Sequence, residues 1–119
     1  MKIAIVVFAV FTSSAAFAVP SSCDSERSAA ARLICADTEL SELESEVYGE
    51  FNSWQSNVEG PDRQVRERSH EDWIRERNAL CGLSSMDPNA PLETLLAAKP
   101  CMVKAYEERK RFYDAVMWK

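Results

Sequence analysis

Four cysteines, Cys23, Cys35, Cys81 and Cys101, and one histidine, His70, are the residues of this chain best suited to metal, redox or nucleophilic chemistry. Zinc would require thiolates and imidazoles at close Cys-x-x-Cys or Cys/His spacings. Here the cysteines are widely separated and His70 stands far in sequence from each of them. A cysteine nucleophile requires a free thiolate, whereas four cysteines in a short exported chain pair with one another. His70 is followed by Glu71 and Asp72, which looks like a general-base cluster, but adjacent residues on a helix point apart. A lone histidine on such a polar face is expected to be solvated. The chain has no Gly-rich phosphate loop, no His-Glu-x-x-His and no Gly-x-Ser-x-Gly. No catalytic residue, cofactor or metal ion is expected.

Export is read from the N-terminus. Residues 1–18 carry Lys2, an apolar run from Ile3 to Phe11 and the small-x-small site Ala16-Phe17-Ala18. That is the pattern of a secretory signal peptide, too short to span a bilayer stably. Cleavage after Ala18 would leave residues 19–119 as one small domain, periplasmic or secreted, with no membrane insertion of the mature chain. Pro20-Ser21-Ser22 before Cys23 is not the small-residue box that lipoprotein processing needs.

Two disulfides are then expected. Of the three pairings, the spacings favour neighbours, Cys23 with Cys35 and Cys81 with Cys101, each closing a short loop around a turn. In the loop-entropy model each contributes roughly 3 kcal/mol.

The elements that position these cysteines read as helices almost throughout, an all-α bundle of about four. A first helix is predicted over 25–34, capped by Asp24 or Ser25. Asp37 is predicted to cap a second, with Glu39 at the positive end of its dipole. Leu40, Leu43, Val47, Phe51 and Trp54 recur on it at spacings of three and four. It should end near Asn57, ahead of Gly60-Pro61. A third helix should run from Pro61 to Cys81, stopped by Gly82, with Val65, Trp73 and Leu80 on one face. Residues 83–92 read as a loop, and 93–99 as a helical turn or two. A last helix, after Pro100, carries Met102, Ala105, Tyr106, Phe112, Tyr113 and Val116 on one arc.

Two arginines interrupt this pattern. Arg109 falls within the apolar arc of the last helix, and Arg77 falls beside Trp73 and Leu80 on the third. A buried unpaired charge is costly, so at least one should be tied internally, with Asp37 or an acid of the second helix as partner. Arg77 lies one turn from Trp73, which permits stacking. The alternative for these arginines is an anion site.

Charge is uneven. The chain is at −5, and loss of the single positive charge of Lys2 leaves −6. Between Arg32 and Arg63 lie eight acids, Asp37, Glu39, Glu42, Glu44, Glu46, Glu50, Glu59 and Asp62, and no lysine or arginine. Glu39, Glu42, Glu46 and Glu50 line one flank of the second helix's apolar stripe. They are either neutralised by the later, more basic helices or turned towards a basic protein partner, whose approach they would steer. An acidic domain suits neither nucleic acid nor an anionic membrane.

The ordered set Cys23, then Ile34-Cys35-Ala36-Asp37 with Glu39-Leu40 and Leu43, Tyr48, then Trp73-Ile74 with Arg77 and Cys81, and finally Cys101-Met102 with Tyr106 and Arg109, resembles the lysozyme-inhibitor-like family of small secreted bacterial proteins typified by the LprI N-terminal domain. The likeness spans nearly all of residues 19–119. It implies a helical, disulfide-stapled exported domain and, as for the inhibitor that gave the family its name, inhibition of a lysozyme. Two features depart from the pattern: His70 stands where the family commonly has glutamine, and the lipid-anchor signal of the named inhibitor is absent. The motif residues Asp37, Leu40, Tyr48, Trp73, Arg77, Tyr106 and Arg109 read as structural. The expected function is inhibition of a lysozyme-type muramidase by protein–protein contact, steered by the acidic strip, with the 83–99 segment a candidate for insertion into the cleft. The alternative is an envelope accessory or structural module with another partner. The sequence does not fix the oligomeric state.

Overall fold

Ser28 opens the first helix. The computed structural model describes Cys23 and residues 25–117; the expected signal peptide and Asp24 lie outside the described residues. Helix α1 spans Ala29–Ala36, beginning four residues later than the 25–34 reading. Ser28 is in an extended conformation and its Oγ accepts from the Ala31 N–H at 3.0 Å. Upstream, the Glu26 N–H is already committed to a turn with the Cys23 carbonyl at 3.2 Å. A capping hydroxyl placed directly before an alanine run sets the start better than one three residues earlier.

Asp37 joins two helices. Its own N–H donates to the Leu33 carbonyl at 3.0 Å, closing α1, and its Oδ1 accepts from the Leu40 N–H at 3.0 Å, opening α2 over Thr38–Ser56. Asp37→Ala is expected to cost about 1 kcal/mol through loss of this cap, read as a lower urea midpoint at unchanged m-value. Asn57 ends α2, as the sequence suggests. Leu40, Val47 and Phe51 are buried along its inner stripe.

Helix α3 covers Pro61–Leu80, with proline in the first turn and Gly82, at φ 76°, just beyond its end. Its N-terminal turns are clamped to the end of α2. Arg63 Nε donates to the Gln55 carbonyl at 3.2 Å and Arg66 Nη1 to the Trp54 carbonyl at 2.6 Å, satisfying carbonyls left free where α2 stops. The inward face of α3 is not the expected one. Val65 is 56% and Leu80 77% exposed, while His70, Trp73 and Arg77 point into the bundle. Periodicity located Trp73, but the line through it towards α2 and α5 runs by way of His70 and Arg77. Val65 and Leu80 fall to one side of that line.

Residues 81–91 form a string of turns, followed by the short α4, Leu92–Leu96. This segment is anchored: Leu83 and Leu95 are buried, and Arg32 of α1 donates to the Pro88 and Ala90 carbonyls. Helix α5 spans Lys99–Met117 and begins one residue before Pro100, which fits in a first turn because no N–H is required there. Met102, Ala105, Tyr106, Arg109 and Tyr113 form its buried side.

The disulfides join neighbours, Cys23–Cys35 and Cys81–Cys101, with Cα separations of 5.5 and 5.6 Å. Helix α2 is central, packed on α1, α3 and α5, and α4 rests against α1. The fully buried side chains Leu33, Leu40, Val47, Leu95, Met102, Tyr106 and Tyr113 join all of these helices except α3 in one core. Among the described residues there is no strand, and no helix is long and apolar enough to cross a membrane.

Candidate functional site

Two groups of side chains carry charge in a non-random way: a polar–aromatic cluster inside the bundle and the acidic flank of α2 outside it.

The inner cluster starts from Arg77. One turn along α3 from Trp73, it is carried into the seam between α3, α2 and α5. Its guanidinium lies 5.2 Å from the Trp73 ring centre and 5.3 Å from that of Tyr106. Nη1 donates to the Tyr106 hydroxyl oxygen at 3.1 Å and reaches Glu44 Oε1 at 3.5 Å; Nε donates to Asn78 Oδ1 at 3.0 Å. The Tyr106 O–H in turn donates to the same Glu44 oxygen at 2.7 Å. Burial is the first cause holding the Tyr106 hydroxyl well above its ordinary range, so it stays a donor. The internal partner is thus an acid of α2, Glu44. Asp37 instead meets Lys99.

Arg109 is tied differently. It is buried, its Nη2 donates to Ser69 Oγ at 3.1 Å, and its guanidinium lies 4.2 Å from the ring centre of Phe112 and 4.8 Å from that of Tyr113. Aromatic faces stand in for a carboxylate here, while Nε has no hydrogen-bond partner among the described residues.

His70 completes the cluster and corrects the expectation of a solvated histidine. It is 5% exposed, stacked on Phe51 with ring centres 4.1 Å apart, and its Nδ1 is 2.7 Å from the Tyr113 hydroxyl. Its position three residues before Trp73 and seven before Arg77 is the sequence signal that could have placed it on the inner face. Tyr48 sits at the edge of this group, half-exposed, its ring 6.0 Å from Phe51 and 6.4 Å from His70.

The acidic flank is partly neutralised by α5. Lys99 bridges Asp37 at 3.0 Å and Glu39 at 3.2 Å, and Lys110 meets Glu46 at 2.7 Å. These hydrogen bonds raise both lysines above their ordinary value. Glu50 is only partly exposed, and its Oε2 is buried with no hydrogen-bond partner among the described residues. Burial first, then the Asp114 carboxylate, raises its pKa. It therefore drops out of the outward strip. Glu42 is exposed and, among the described residues, forms no ion pair; Glu39 and Glu46 keep most of their side chains in solvent.

Every cysteine is paired. Among the described residues, no three or more His, Cys, Asp or Glu side chains come together as metal ligands. The carboxylate of the inner cluster is engaged by a tyrosine and an arginine. The sequence-predicted residues separate into a structural set, Asp37, Leu40, Trp73, Arg77, Tyr106 and Arg109, and a solvent-facing set, Glu39, Glu42, Glu46 and Tyr48. No protein-family model, curated protein or solved structure matches the chain.

Proposed function

We propose that the chain is an exported binding protein that inhibits a lysozyme-type muramidase by protein–protein contact, without catalysis. The observation that carries this reading is the outward flank of α2, where Glu39, Glu42 and Glu46 stand in solvent on a helix that has no basic residue. Many lysozymes are strongly basic, and opposed charge accelerates encounter and fixes orientation. Support also comes from the ordered likeness to the lysozyme-inhibitor-like family and from the two disulfides, which suit an oxidising compartment outside the cytoplasm. The partner lies across α2 and leaves the 83–99 segment aside, because Leu83, Leu95 and the Arg32 contacts hold that segment to the bundle.

The test is lysis of a bacterial cell-wall suspension by a basic lysozyme, with and without the oxidised domain, at low and physiological salt. Dose-dependent inhibition that persists at physiological salt is expected. Absence of inhibition across several lysozyme types would remove this function and favour an envelope module with another partner. For the interface, Glu39→Lys, Glu42→Lys and Glu46→Lys together are expected to slow association about tenfold or more at low salt and to flatten its salt dependence. Stopped-flow or surface-binding kinetics that match the parent protein would exclude the strip.

A further inference from the structure

The chain has one histidine, and its setting is unusual for a group that titrates near neutrality. From α2, Phe51 stacks on the His70 ring at 4.1 Å with an 11° interplanar angle, and Tyr48 stands edge-on at 6.4 Å. From α5, the Tyr113 hydroxyl lies 2.7 Å from Nδ1. Along α3 itself, Trp73 lies 5.5 Å away, ring centre to ring centre. The charged groups acting on the ring are Arg77 from α3, Arg109 from α5 and Glu44 from α2. The single acid among them is already engaged by Arg77 and the Tyr106 hydroxyl. A proton on His70 would therefore add a third cation to a site where two guanidinium groups already disfavour it, with the residue only 5% exposed.

We propose that His70 is an acid-operated latch: neutral, it holds α3 to α2 and α5 through Phe51 and Tyr113, and on taking up a proton from solvent it loosens that seam.

The direction follows from the environment. Burial first, then Arg109, lowers the imidazole from its ordinary 6.5 to about 4, with Arg77 acting the same way and Glu44 opposing. A group with a lower pKa in the closed form favours closure fully above about pH 6.5. As pH falls towards 4, the open form takes the proton first and the advantage shrinks; below about 4 both forms are protonated and nothing more is lost. Across that window the closed-to-open ratio is expected to fall about 300-fold. The other tethers limit the opening to the seam. Cys81–Cys101 ties the end of α3 to the start of α5, and Arg63 and Arg66 clasp the end of α2.

The test uses the oxidised chain between pH 7.5 and 3.5. With one histidine, the imidazole resonance is unambiguous by NMR, and backbone hydrogen exchange in α3, corrected for intrinsic rates, reports opening. The expected result is an imidazole midpoint near 4, with α3 openings rising through the same window about 300-fold more than in His70→Gln. That variant keeps a hydrogen-bonding side chain and all the carboxylates, Glu44 and Glu50 included, but cannot titrate there. An imidazole midpoint near 6.5, or the same acid response in His70→Gln, would overturn the proposal. Should the glutamine variant fail to fold, the parent protein decides alone: α3 openings that rise from about pH 6.5 and level off at an imidazole midpoint near 4 support the latch, whereas openings flat down to pH 4, or an imidazole that titrates as in water, refute it.

Discussion

Arg77→Ala is expected to cost the domain about 3–5 kcal/mol, the largest loss among the polar residues of the bundle. The guanidinium fills the space between the Trp73 and Tyr106 rings and donates to Tyr106, Glu44 and Asn78. Truncation leaves a void at the α2–α3–α5 seam and strips Tyr106 and Glu44 of their cation at the same time. Charge and volume can be separated. In Arg77→Met most of the volume remains, and Glu44, whose side chain is 36% exposed, can still be hydrated. That variant should be less damaging, at about 1–2 kcal/mol. Glu44→Gln keeps an acceptor for the Tyr106 hydroxyl but leaves the arginine, with its side chain 3% exposed, uncompensated; a loss of about 2–3 kcal/mol is expected. Urea denaturation of the three variants gives the order, with alanine worst. A methionine variant as unstable as the alanine one would mean that the ion pair, and not packing, is the main term.

Replacing Cys81 and Cys101 together by serine is expected to remove about 3 kcal/mol, by freeing a loop of 20 residues in the unfolded chain. The same change at Cys23 and Cys35, with a separation of 12, should cost roughly 0.4 kcal/mol less. The two pairs also hold different things. Cys23–Cys35 ties the N-terminal segment to α1, whereas Cys81–Cys101 spans the turns and α4 and fixes the end of α3 against the start of α5. Loss of the second pair should therefore raise hydrogen exchange across 83–98 and the last turn of α3, while loss of the first leaves those amides protected. Equal exchange profiles in the two variants would contradict this division.

Much of this architecture was legible in the residues. Asp37, Pro61 and Gly82 set boundaries by chemistry confined to a few neighbouring residues: a carboxylate over free N–H groups, a ring that needs no N–H, a left-handed turn without a Cβ. The three-and-four spacing of Leu40, Val47 and Phe51 identified the inner face of α2 for the same reason. The disulfide partners followed from short loops around turns. The acidic flank was visible as a run without a single base, and the two arginines as charges on apolar arcs that must find a partner.

The errors lie where a decision depends on a second helix. Val65 and Leu80 look like core residues on α3 considered alone, but α2 and α5 approach it along the line of His70, Trp73 and Arg77. His70 was expected in solvent because its neighbours Glu71 and Asp72 are polar. Phe51 and Tyr113, distant in sequence, supply the stack and the hydrogen bond that bury it. Glu50 belongs to the acidic flank by spacing, yet its carboxylate is partly buried beside α5, where Asp114 opposes its charge and Lys110 favours it. Glu44 was one acid among eight until Tyr106 and Arg77 met on it. The residues alone therefore specify the helices, most of their ends and their cross-links, since these depend on hydrogen bonds and loop closures between residues close along the chain; the start of α1, with several candidate caps in a row, is the exception. Only the tertiary structure decided which polar groups are buried and which acids remain free, because burial of a charge or an imidazole is settled by whatever partner the neighbouring helix presents.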